Sequence, residues 1–143
     1  MKTPTLRTIL ILVAFCALLG FDAKPARSKA TPDQLTNDEA MRLVRRINTA
    51  EATALLAKDG SHQYASLSKL LESATGQKYV NTPVNQTDET SGTLKGYAVS
   101  LLVSPDGHRY SLELIPANPK ECGAAFFSSE AAVIYIAKAL GCS

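Results

Sequence analysis

Cys122 and Cys142 have the richest chemistry open to them in the C-terminal part of the chain. A cysteine pair can close a disulfide, ligate a metal or act as a redox couple. Their spacing is not Cys-x-x-Cys, and the two histidines, His62 and His108, complete no recognised zinc spacing with them. The acids Asp88, Glu89 and Asp106 lack the periodic arrangement of a calcium loop. No serine sits in a nucleophile elbow and no glycine-rich phosphate loop is present. Thus no catalytic residue, metal ligand set or cofactor site is expected. Asn48, Thr49 and Glu51 form a polar cluster within a predicted helix, where Asn and Thr are poor formers. They form either a binding patch or a set of side chains that bond a neighbouring loop and orient the helix. Arg42, Arg45 and Arg46 share a helical flank that suits an anion or acidic partner, or simply water. Phe126, Phe127 and Tyr135 offer either a ligand platform or core.

The compartment follows from the first residues. Lys2 and Arg7 precede an apolar run from Ile9 to Leu19, and small and polar residues begin at Gly20. Charge, apolar core and polar exit in that order make a secretory signal. The run falls short of the roughly 20 residues that span a bilayer. Residues 1–23 are therefore read as a signal, with an uncleaved anchor as the alternative. Residues 24–35, interrupted by Pro25 and Pro32, are read as a linker, and 36–143 as one domain. The chain carries 15 Lys+Arg against 13 Asp+Glu; without Lys2 and Arg7 the two counts are equal. Such a balance gives no basic surface for nucleic acid. In an oxidising compartment Cys122 and Cys142 are most simply a disulfide, which would contribute about 3 kcal/mol by loop entropy.

Thr36, three residues before Glu39, makes a capping box. Met41, Val44, Ile47, Ala54 and Leu55 then recur at helical spacing, which predicts a helix over 37–58 ended by Gly60. A second helix is expected from Ser66, with Leu67, Leu70, Leu71 and Ala74 as its stripe and Gly76 as its end. Tyr64 before it is expected in the core. Residues 77–92 read as an exposed loop, with a weak glycosylation sequon at Asn85. Two alternating runs, 97–103 and 109–115, flank Ser104-Pro105-Asp106-Gly107 and predict a β-hairpin. Residues 124–128 and 133–136 suggest a second hairpin, although 130–140 also suits a helix.

In order along the chain stand Arg46-Ile47-Asn48-Thr49-Ala50-Glu51, Tyr64-Ala65-Ser66-Leu67 with Leu70, Gly96-Tyr97, Asp106-Gly107 with Tyr110, Gly123 to Phe127, Ser129-Glu130 and Val133-Ile134-Tyr135. This combination resembles the globular heads of bacterial type IV pilin-like (pseudopilin) proteins over roughly residues 42–135. The resemblance implies an α+β head in which an N-terminal amphipathic helix packs on a small antiparallel sheet, with a short second helix. It also implies a role in filament or secretion-system assembly without catalysis, and a C-terminal disulfide loop at positions comparable to Cys122 and Cys142. One feature departs from the family. Pilins are cut before their hydrophobic helix and keep it, whereas here Gly20-Phe21 follows the apolar run.

The expectation is therefore an exported, periplasmic or secreted, non-enzymatic module that partners other envelope or pilus-like proteins and touches membrane only if the N-terminal run is retained. One alternative is an inner-membrane-anchored pseudopilin-like component. The other is a small periplasmic ligand-binding protein or enzyme with its site near residues 77–92.

Overall fold

A computed structural model describes residues 34–56, 62–118, 120 and 122–138. The chain is α+β. Helix α1 (Asn37–Leu55) is followed by two short helices, α2 (Leu67–Glu72) and α3 (Ala74–Tyr79). Six strands follow: β1 (Asn85–Gln86), β2 (Ser91–Leu94), β3 (Tyr97–Val103), β4 (Tyr110–Pro116), β5 (Ala124–Ser129) and β6 (Tyr135–Lys138). They form one antiparallel sheet in simple chain order. The segment 1–33, Gly60, Pro119 and Cys142 lie outside the described residues, as do the expectations attached to them.

The capping box starts α1 as the sequence predicts. The Thr36 amide donates to Glu39 Oε2 at 2.8 Å, and the Glu39 amide returns a bond to the Thr36 hydroxyl oxygen at 3.3 Å. These contacts satisfy amides that a helix start leaves open. The Thr36 backbone N–H also holds the Glu39 carboxyl below its ordinary pKa. The helix ends at Leu55, before the expected 58. Its buried stripe is Ala40, Leu43, Val44, Ile47 and Ala50. Met41, Ala54 and Leu55, assigned to that stripe from sequence, are only partly buried. The expected linker is packed at its end: Leu35 lies against the core and its amide donates to the Lys95 carbonyl at 3.1 Å.

The expected second helix is two helices. Ser73 adopts an extended conformation (ψ 153°), and its side chain caps α3 by accepting from the Gly76 amide at 2.9 Å. Gly76 therefore lies inside α3 and does not end a helix. It is buried where a Cβ would stand 1.7 Å from the Leu70 carbonyl oxygen. Residues 77–92, expected as loop, contain the end of α3, the buried Val80, all of β1 and the start of β2.

The 97–103 and 110–116 strands pair in full, from Tyr97 opposite Pro116 to Val103 opposite Tyr110. Tyr97, Val99 and Leu101 on β3, and Tyr110, Leu112 and Leu114 on β4, face α1 and are buried. This period of two is what a one-sided sheet requires. The second hairpin is also a hairpin, with Phe127 opposite Tyr135 and Ala124 opposite Lys138. Only Phe126 of the three predicted aromatics is core. Phe127 is half-buried on the opposite face, and Tyr135 is 65 % exposed. Alternation explains the split: Phe126 and Phe127 are adjacent, so one must point away from the helix.

Gly76→Ala is expected to destabilise the fold by about 1–3 kcal/mol through overpacking against the α2 backbone. A urea melt checks this, and an unchanged midpoint would contradict the close approach.

Candidate functional site

The polar residues that α1 buries are Asn48 and Glu51, two of the three singled out from sequence. Asn48 sits between β4 and β5. The Tyr110 hydroxyl donates to its Oδ1 at 2.9 Å, and its Nδ2 donates to the Ser128 hydroxyl oxygen at 2.8 Å. Ser128 in turn donates to the Val133 carbonyl at 3.0 Å, tying the β5–β6 connection to the same chain of bonds. Every polar group along this path has a partner, as burial demands. Tyr64 packs edge-on against Tyr110, with ring centroids 4.8 Å apart and planes at 72°. Burial pushes the Tyr110 hydroxyl far above the ordinary tyrosine range, so it serves only as a neutral donor.

Glu51 stands one turn further along α1 and is completely buried. The Ala65 amide donates to its Oε2 at 2.9 Å. The adjacent Tyr64 amide donates to the Gly107 carbonyl at 2.9 Å, so this segment is stitched to the helix on one side and the β3–β4 turn on the other. Among the described residues no partner reaches Glu51 Oε1, nor the buried hydroxyl of Ser66. Burial raises the Glu51 carboxyl to about 7, against the smaller opposing effect of the Ala65 N–H.

Thr49, the third residue of the predicted cluster, is exposed and bonds back to the Arg45 carbonyl within the helix. The trio thus divides: Asn48 and Glu51 work inward and Thr49 outward. Asn37 has a role that sequence reading missed. Its Oδ1 accepts from the Ala124 amide at 3.1 Å and from the Tyr97 hydroxyl at 3.4 Å, pinning the start of α1 to β5 and β3. An Asn in a first helical turn is a common capping choice, so its sequence position alone gave no sign of a long-range bond.

Cys122 is described and is held in a disulfide; Cys142, its expected mate, lies outside the described residues. The exposed His62 and His108 lie near different turns. Among the described residues no three His, Cys, Asp or Glu side chains are grouped to hold a metal, and no helix is long and apolar enough to cross a membrane. Near residues 77–92 an open cleft of about 510 Å³ runs between α2, α3 and the 80–84 segment. Its only ionisable lining residue is Glu72. A single exposed carboxylate supplies no acid–base pair.

No family model matches the chain, nor does any curated protein or solved structure.

Two consequences of the buried bonds are measurable. A carboxyl whose pKa is raised on folding contributes stability that is complete below its unfolded value, near 4.5, and is lost as pH rises through its folded value, about 7. Relative to Glu51→Gln, the natural protein should lose about 3 kcal/mol of stability between pH 4.5 and pH 8. Paired denaturant titrations test this, and parallel pH profiles would refute it. Tyr110→Phe should cost about 1–2 kcal/mol because it leaves the buried Asn48 Oδ1 without its donor. A double-mutant cycle with Asn48→Ala should show the two losses to be non-additive.

Proposed function

We propose that the chain is an exported, non-enzymatic module with a pilin-head-like fold that serves as an interaction or accessory component of the bacterial cell envelope. The observation that carries this reading is the arrangement of α1 across one face of the antiparallel sheet, with the opposite face uncovered among the described residues. That open face presents Leu102, Ile115, Phe127 and Tyr135, all of which point away from α1 by strand alternation. Leu102 is 50 % exposed and Tyr135 65 %. Exposed apolar side chains on this face, Leu102, Ile115 and Tyr135, suit contact with another protein. The pilin-like residue pattern from Arg46 to Tyr135 and the secretory order of residues 1–23 support the same reading.

The apolar run at 9–19 is read as removed with the signal, which places the head outside a filament and makes it an accessory of an envelope assembly. The Cys122–Cys142 bridge is the proposed fastening of the C-terminus. Protein recovered from its host's envelope should begin between residues 24 and 27, fractionate as soluble, be absent from purified pili and show no alkylation at Cys122 or Cys142. Intact mass before and after alkylation, with and without reductant, checks all of this. A mass that retains residues 9–19 in the membrane fraction would replace the soluble module with an anchored component. Recovery within a pilus would overturn the accessory role.

A further inference from the structure

A cleft of about 300 Å³ lies on the flank of α1 that faces the 80–84 segment and the β2–β3 turn. Its apolar part is formed by the buried Leu43 and Leu94 and the partly buried Leu35. Three cations surround it: Arg42 and Arg46, one turn apart on α1, and Lys95 from the turn opposite. Lys95 and Arg42 both attract the Glu39 carboxylate and help, after its bonds to Thr36, to hold its pKa down. The only acid lining the cleft is Glu39, and its Oε2 is already engaged by the Thr36 amide and hydroxyl at 2.8 and 2.9 Å. Three cations against this one acid leave the lining of a concave, partly apolar space with a net excess of positive charge.

The cations are also placed by bonds that leave donors to spare. Arg46 Nη1 donates to Asn81 Oδ1 at 3.1 Å, leaving most of the guanidinium fork unused. Lys95 occupies a left-handed backbone position (φ 42°), and its carbonyl accepts from Leu35. That bond fixes the turn against the start of the domain and sets the ammonium where it attracts the Glu39 carboxylate. Thr82 adds a hydroxyl at the rim. Two guanidinium forks and an ammonium lining one cleft suit a group with two negative charges and three acceptor oxygens. The volume is at the lower end for small-molecule sites, and the leucines in its lining leave room for a small apolar body.

We propose that this cleft binds a phosphate monoester carried on a short apolar body. The proposal is independent of the envelope role and requires only the folded chain. Phenyl phosphate is the probe. Titrated into the isotope-labelled full chain at low salt, it should shift the Leu43, Thr82, Leu94 and Lys95 amides saturably, with a Kd below about 1 mM. Phenol should not bind, and inorganic phosphate should bind more weakly. Arg42→Gln and Lys95→Gln should each weaken phenyl phosphate about tenfold, as loss of a charge-assisted contact does. Arg45→Gln, whose side chain lines a different cleft, should leave the affinity unchanged. All three substituted side chains are exposed, so the variants should melt with the natural protein. Sedimentation with vesicles of phosphatidylcholine and phosphatidic acid separates the two sources of the ester. Lysine-95-dependent co-sedimentation identifies a lipid headgroup, and its absence alongside phenyl phosphate binding identifies a soluble ester. Absence of saturable shifts, or equal loss in Arg45→Gln and Lys95→Gln, overturns the proposal.

Discussion

The way α1 lies on the sheet is set by three polar side chains on its sheet-facing side, Asn37, Asn48 and Glu51. Apolar packing brings the helix to the sheet but is non-directional, and Leu, Val and Ile would tolerate small slides along the axis. The polar contacts tolerate none. Asn37 meets the Ala124 amide, Asn48 joins Tyr110 to Ser128, and Glu51 takes the Ala65 amide. Displacing the helix by one residue would strand several buried polar groups together, each at a cost of about 1–3 kcal/mol. Together with the Tyr64–Gly107 and Ser128–Val133 bonds next to them, they fix three connections: the 62–66 segment, the β3–β4 turn and the β5–β6 link.

This arrangement has an electrostatic weak point. Asn37 is exposed and the buried Asn48 is neutral with its amide oxygen and nitrogen bonded, whereas Glu51 is buried, ionisable and has one oxygen without a partner among the described residues. A buried carboxylate with one N–H donor is poorly compensated for the loss of water, so the neutral acid is favoured. The polar interior thus defines the helix position best when Glu51 holds its proton. The outer face of the sheet takes no part in this network. Its apolar residues can change without disturbing the helix.

What could be read from sequence was what local pattern determines. The capping box at Thr36 and Glu39, the Pro-Asp-Gly hairpin and the burial of Tyr110, Leu112 and Leu114 all follow from short-range rules. The failures are tertiary. Strand β2 is Ser-Gly-Thr-Leu, too short and polar to show alternation, and its turn places Lys95 rather than Asn or Gly first in the left-handed region. Gly76 looked like a helix stop because only packing against Leu70 distinguishes it from one. Of the candidate site, the importance of Asn48 and Glu51 was legible because polar residues interrupt an apolar stripe. Their partners were not, since Tyr110 and Ser128 lie 62 and 80 residues away. The Arg42–Arg46 pair was visible as a charged flank, but Lys95 joins it only through the sheet.

The central claim is that a buried polar seam, with Glu51 inside it, positions α1 on the sheet. Its most direct test is the titration of the Glu51 side-chain carboxyl, followed by carbon NMR of selectively labelled protein. The account predicts a midpoint near 7 and a matching shift of the Ala65 amide signal. A midpoint near the ordinary glutamate value of about 4.3, with the Ala65 amide indifferent to pH, would place the side chain in water and contradict the seam.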